Sequence, residues 1–412
     1  MVVATLPVIE KKSVGGLACE SDSIATVPLT EERSFAYWQH DIPREYWALS
    51  ADELLARIGA ARQKLGARCV VLGHHYQRED IIQFADIRGD SFKLAQWAAE
   101  RPESDYIVFC GVHFMAEAAD ILSAPHQKVM LPNMAAGCSM ADMADPDDVY
   151  NAWAELEELG VAQDTLPITY MNSAAALKAF VGEKGGAVCT SSNAAKVLAW
   201  AFERKKRVLF FPDQHLGRNT GYAMGIPLEH MVLWGWSRPY GSMGGRTLQE
   251  LQDSRVILWA GHCSVHQRFT PQQIAEAREK YPRPADFDST QVGGITVIVH
   301  PECRWETVQA SDLNGSTEFI AKTITNAPAG AKFAVGTEIN LVSRLAKENP
   351  DKTVFCLDPV VCPCSTMYRV HPAYLAWTVE SLAEGRLVNQ IIVPEDIAAN
   401  AKLALDRMLT IK

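Results

Sequence analysis

From about residue 68 onward, short apolar runs alternate with stretches of helical periodicity. The runs CVVLGHHY, LPITYMN and ITVIVHPE have the length and composition of buried strands. Ahead of them, Leu54, Leu55, Ile58 and Leu65 fall on one face of a helix over about 52–66. Residues 1–45 show no period and many small polar residues, and read as a partly ordered N-terminal extension. Strand–helix alternation of this kind predicts an α/β fold with parallel sheets.

The alternation occurs three times. Each first strand ends on a polar ring residue: His74, Tyr170 and His300. A helix follows, then a small-polar cluster: Gly89-Asp90-Ser91, Thr190-Ser191-Ser192-Asn193 and Asn314-Gly315-Ser316-Thr317. A third strand comes next (YIVFCGVH, RVLFFPDQ, KFAVGTEI), and a fourth runs into Cys138, Cys263 or Cys364. His74 and Cys138 are 64 residues apart, and so are His300 and Cys364. Ser91 to Cys138 and Thr317 to Cys364 are both 47. The middle unit is longer, and most of the excess falls in a Gly- and aromatic-rich stretch read as an inserted loop, about 217–247. Repetition of this order predicts three pseudo-threefold-related three-layer αβα domains around a central site. The units are 46–145, 146–268 and 269–372, with C-terminal helices in 373–412 expected to complete the first.

Composition narrows the classes. Apolar residues make up 48% and charged residues 21%, which are globular values. No apolar run is long enough for a membrane span, and the N-terminus lacks the order of a signal peptide. A cytoplasmic enzyme with no membrane partner is expected. The net charge of −10 argues against a nucleic-acid surface. It leaves room for a small anionic substrate in a donor-rich pocket. Ten cysteines in a cytoplasm do not predict structural disulfides.

In parallel sheets, functional side chains gather beyond the carboxyl ends of the strands. The three ring residues and three small-polar clusters belong there. Helix N-termini direct N–H groups and positive dipole ends outward, so three in register suit carboxylates or a phosphate. The repeat also puts Cys138, Cys263 and Cys364 at equivalent points. Thiols separated by 125 and 101 residues are not a zinc-ribbon pattern. They fit one [4Fe–4S] cluster per chain, with three protein ligands and an open, Lewis-acidic iron.

The motifs HHYQ (74–77), GDS (89–91), CGVHFMAE (110–117), AGCSMAD (136–142), YMNS (170–173), CTSSNA (189–194), FPDQHLGRN (211–219), CSVHQRFT (263–270), HPEC (300–303), NGST (314–317), VGTE (335–338) and CSTM (364–367) together resemble the quinolinate synthase family. The resemblance covers about 68–385. It implies a condensation of iminoaspartate with dihydroxyacetone phosphate to quinolinate, releasing phosphate and water, in de novo NAD synthesis. An aspartate oxidase or dehydrogenase would supply the imine. Carried over by motif, His74, Ser91, Tyr170, Asn172, Ser191, His300 and Thr317 bind the imino dicarboxylate. Tyr76 and Glu302 form the acid–base pair. The family usually carries tyrosine where this chain has His75, and alternation along the strand turns His75 away from the site.

The other candidates read more plainly. Cys69, Cys110, Cys189, Cys303 and Cys356 lie in or beside strands and read as buried thiols. Cys19 falls in the extension. Cys362 stands one residue from Cys364 and is a candidate redox partner. His266 is expected beside the cluster, outside its ligands. His113 and Glu117, one helical turn apart, read as a hydrogen-bonded helix start lining the site. Two other functions compete: a diphthamide-synthesis-like radical S-adenosylmethionine protein with three cysteines, and a non-enzymatic iron–sulfur sensor.

Overall fold

The computed structural model describes residues 5–8, 25–28, 42–282, 294–360 and 363–411. Cys19 and Cys362 lie outside these residues. In the extension, β1 (Thr5–Val8) and β2 (Ala25–Pro28) pair antiparallel, a ribbon the composition does not predict.

The first unit holds β3 (Cys69–His74), β4 (Ile87–Gly89), β5 (Tyr106–Cys110) and β6 (Lys128–Met130). The second holds β7 (Thr165–Tyr170), β8 (Ala187–Cys189), β9 (Arg207–Phe211), β10 (Met231–Trp234) and β11 (Val256–Trp259). The third holds β12 (Ile295–Val299), β13 (Leu313–Asn314), β14 (Lys332–Gly336) and β15 (Thr353–Cys356). The sheets run β4-β3-β5-β6, β8-β7-β9-β11 and β13-β12-β14-β15, with every pair parallel. The order is the same each time: second, first, third, last. Central strands β3, β7, β9 and β12 are buried along their whole length, which is why they read as unbroken apolar runs.

The inserted segment is not a loop. Its first residues belong to the helix Gln214–Ala223, the counterpart of His113–Leu122 and Ile339–Glu348, each opening three residues after its strand. The true insertion follows that helix. It supplies β10, which extends the second sheet beyond β11, and the short helix Leu248–Asp253. The apolar run Met231-Val232-Leu233-Trp234 is strand-like, and Trp234 pairs in register with Trp259.

Residues 373–411 are shared between two units. Helix Pro372–Ala383 packs on Ala51–Leu65, where Arg57 and Tyr46 both bond Glu380. The strand β16 (Gln390–Ile391) then pairs antiparallel with β6 at the edge of the first sheet. Helix Glu395–Thr410 crosses to the second unit and packs on Ala175–Glu183. A Cβ at Gly182 would sit 1.9 Å from the Asn400 carbonyl oxygen, so only glycine permits this approach. Arg407 fastens the crossing by donating to the carbonyls of Gly182 and Gly186 at 3.1 and 2.6 Å. Among the described residues, no helix is long and apolar enough to cross a membrane.

Candidate active site

The strand ends of all three units open onto one cavity, with about 630 Å³ of unfilled space including its mouth. His74, Tyr76, Ser91, Cys138, Tyr170, Asn172, Ser191, Cys263, His300, Glu302, Thr317 and Cys364 all line it. These are the site residues expected from the sequence, brought together from three units.

The small-polar clusters divide their work. Asp90 and Ser316 cap the helices Ser91–Ala99 and Thr317–Asn326, accepting from Lys93 N and Phe319 N. That leaves the first helical residues, Ser91 and Thr317, with hydroxyls unused by capping. In the middle unit Asn193 is spent on Thr190, whose N–H and hydroxyl it accepts at 2.7 and 3.1 Å, and Ser191 faces the cavity. Ser192 donates to Asp90 at 2.9 Å and ties the second cluster to the first.

His74 and His300 repeat one local geometry. The N–H of Tyr76 donates to Nδ1 of His74 at 3.1 Å, and the N–H of Glu302 to Nδ1 of His300 at 3.3 Å. Burial lowers both imidazoles, His74 well below its usual value and His300 to about 3. Both rings are therefore neutral, and with Nδ1 accepting, the proton sits on Nε2. Each histidine offers the cavity a fixed N–H donor.

Tyr76 and Glu302 are joined by two further side chains. Glu302 accepts from the Tyr170 hydroxyl at 2.6 Å and from His266 Nδ1 at 2.9 Å. His266 Nε2 lies 3.1 Å from Thr337 Oγ1, which lies 2.8 Å from the Tyr76 hydroxyl. Tyr76 itself is 3.4 Å from His266 Nε2. Burial pushes the Glu302 carboxyl up, but the His300 and His266 imidazoles and the bonds from His266 and Tyr170 outweigh it and hold it well below its usual range. An ionised Glu302 only accepts, so His266 donates from Nδ1, and a neutral ring held that way accepts at Nε2. The donated proton comes from Thr337 or from Tyr76. In either case the Tyr76 O–H points inward and its oxygen lone pairs face the cavity. Burial, then the charge of Glu302, raises the Tyr76 phenol well above its usual value, so it is neutral.

The three cysteines share a turn. The N–H four residues on donates to each carbonyl: Asp142 to Cys138, Gln267 to Cys263 and Tyr368 to Cys364, at 3.0, 3.1 and 2.9 Å. The N–H three residues on faces each sulfur, from Ala141, His266 and Met367. Burial raises all three thiols, Cys138 to about 12, against the pull of those N–H groups. Each also feels its neighbours: Cys364 raises Cys138, and both raise Cys263. Three converging thiols with N–H groups already aimed at sulfur fit a soft, thiolate-bound centre such as an iron–sulfur cluster. A smaller donor set also exists, since ligand atoms of Cys263, His266 and Glu302 lie within 4.8 Å of one another. Both nitrogens of His266 are engaged by Glu302 and Thr337, which disfavours that ring as a ligand.

Some expectations change. Of the helix start at 113–117, Phe114 and Met115 line the cavity while His113 and Glu117 do not. Glu117 instead accepts the N–H of Ala175 and pairs with His113. His75 does point away, bonding Glu318 at 3.2 Å, with Arg344 on its carbonyl. Cys69, Cys110, Cys189 and Cys303 are buried, and Cys356 is half-buried. Thr337, to which the repeat spacing does not point, directly follows β14 as His300 follows β12. Asp213, two residues past β9, caps its helix through Leu216 N, and burial followed by the charge of Glu302 holds its carboxyl well above the usual range.

Residues 56–410 match the family described as Quinolinate synthetase A protein. A quinolinate synthase of Corynebacterium glutamicum is 57% identical over 373 residues, covering 90% of this chain and 91% of that one. Those of Streptomyces coelicolor and Geobacillus kaustophilus are 53% and 52% identical, each over 90% of this chain, and over 91% and 97% of their own.

Proposed function

The chain belongs to the quinolinate synthase family, and from that premise we propose that it condenses iminoaspartate with dihydroxyacetone phosphate to quinolinate, releasing phosphate and water. An aspartate oxidase or dehydrogenase is the class of enzyme that supplies the imine. The observation that carries the reading is the joining of Tyr76 to Glu302 at the wall of a donor-lined cavity.

The donors take the carboxylates. His74 and His300 give Nε2–H, and Ser91, Ser191 and Thr317 give hydroxyls beside helix N-termini. Asn172 Oδ1 is buried with no partner among the described residues, and accepts the imine N–H. The one proton of Tyr170 goes to Glu302, so its part is to orient that carboxylate.

Isomerising the triose and closing the ring both require proton transfers. A substrate proton taken at Tyr76 Oη releases the phenol's own proton toward Thr337 and His266 Nε2. His266 then gives Nδ1–H to Glu302. One proton enters at the tyrosine and one arrives at the carboxylate, and the reverse passage returns it. Cys138, Cys263 and Cys364 would hold a [4Fe–4S] cluster whose open iron supplies Lewis-acid polarisation of a substrate oxygen when bound.

The direct test is anaerobic purification followed by assay with dihydroxyacetone phosphate and freshly generated iminoaspartate. Quinolinate is expected, and its absence from a cluster-loaded sample would sink the proposal. Within that assay, Thr337→Val should lower kcat on the order of tenfold to a hundredfold with KM and iron content unchanged. Thr337→Ser should restore most of the rate. A valine variant at the parental kcat would show that the path does not run through Thr337.

A further inference from the structure

A second group of donors lies outside the cavity, between helix Gln214–Ala223, the turn after Cys263 and the start of helix Trp305–Ala310. Four side chains form one run. Arg218 Nη1 lies 3.5 Å from His215 Nδ1, and His215 Nε2 lies 2.7 Å from the Gln267 amide nitrogen. Gln267 Oε1 accepts from Arg304 Nε at 2.6 Å. His215 is only 7% exposed.

Both ends of the run are guanidiniums, which donate and never accept. Each middle member, a neutral imidazole and a primary amide, has one donor face and one acceptor face. Donation can run inward from one end but not from both. One donor–donor junction is therefore unavoidable. Flipping the Gln267 amide or the His215 tautomer moves it without removing it. A protonated His215 would add a second. With Gln267 oriented to accept from Arg304, the junction falls at the longest contact, where His215 Nδ1–H faces the Arg218 guanidinium.

Other observations point the same way. Among the described residues, the only side-chain oxygen Arg218 reaches is Gln214 Oε1, at 3.3 Å. Trp305 Nε1 is buried with no acceptor among the described residues, its ring packed edge-on against Tyr222, one turn on from Arg218. The charges of Arg218, His262 and Arg304 all reach His215. The charges of Glu302 at His215, and of Glu306 and Asp213 at Arg218, oppose them, but among the described residues Arg218 forms no ion pair.

We propose that this junction is a binding site for a tetrahedral oxyanion, a phosphate or phosphate monoester, held by His215 and Arg218 and flanked by Arg304. The missing acceptor follows from the donor count alone. The choice of phosphate rests on the proposed reaction, which takes in a phosphate monoester and releases phosphate.

The test is calorimetric titration of inorganic phosphate into anaerobically prepared, cluster-loaded enzyme whose central cavity is filled with quinolinate. One phosphate site should persist. Arg218→Gln should weaken it on the order of tenfold, the worth of one charge-assisted hydrogen bond, with Arg218→Lys between. Arg304→Gln changes an exposed side chain, does not threaten the fold, and should weaken binding in the same direction. If dihydroxyacetone phosphate displaces the bound phosphate, the site serves the substrate's phosphoryl group; if it does not, the site serves free phosphate. Both results keep the site. No phosphate bound once the cavity is filled, or equal binding by the parent and both glutamine variants, would mean that water fills the junction and would overturn the proposal. Phosphate binding in an enzyme that forms no quinolinate would sink the reaction and spare the site.

Discussion

Glu302→Gln is expected to lower turnover by roughly 10²–10⁴-fold, the usual worth of a positioned acid–base group, with the iron content and visible absorbance unchanged. Two effects combine. On the proposed path, the carboxylate that would collect the proton is gone. The amide also reverses the run beside it. Glu302 now accepts from Tyr170 on one oxygen and from His266 on the other. In the variant the amide oxygen keeps Tyr170, and the amide nitrogen confronts His266 Nδ1. That ring must then take its other tautomer and donate from Nε2 toward Thr337 and Tyr76. The tyrosine would lose its inward acceptor and turn its proton to the cavity. Glu302→Asp keeps the charge and should recover part of the rate. A glutamine variant with more than about a tenth of parental turnover would remove Glu302 from the acid–base pair.

Alanine at Cys138, Cys263 or Cys364, one at a time, should each abolish activity and strip the iron. The loss should exceed the ten- to hundredfold typical of a residue outside the ligand set. Cys303→Ala, a buried thiol off the cavity wall, is the control and should keep its iron. The pattern separates two centres. A three-thiolate cluster predicts equal losses at all three positions. A single ion held by Cys263, His266 and Glu302 predicts loss at Cys263 alone. Loading should also depend on pH. Burial raises these thiols, so the unloaded site holds protons that the metal must displace. Reconstitution should therefore become more favourable as pH rises, and the released protons can be counted in weakly buffered solution.

The repeat made most of the site legible. His74, Tyr170 and His300 end equivalent strands, and the cysteines open equivalent turns, so a periodic reading of one dimension located points that meet in three. Contacts that break the period were not legible. Thr337 reaches Tyr76 across 261 residues and His266 across 71, and no spacing in the chain announces either bond. The insertion misled because its glycines and aromatics suggest a loop, whereas Met231–Trp234 gains strand character only from its parallel partner Val256–Trp259. Helix Glu395–Thr410 is readable as a helix, but its docking on the second unit depends on the absence of a side chain at Gly182.

That docking sets an order of events during synthesis. Arg407 leaves the ribosome 221 to 225 residues after the carbonyls it fastens. At about 5–20 residues per second, that is on the order of ten seconds or more. Through that interval the second unit must hold a partly uncovered helix face, and the sheet of the first lacks its edge strand. The cysteine pocket draws on both units, so its surroundings are complete only after helix Glu395–Thr410 has docked. A metal held by those cysteines would then enter after that helix has been made and docked.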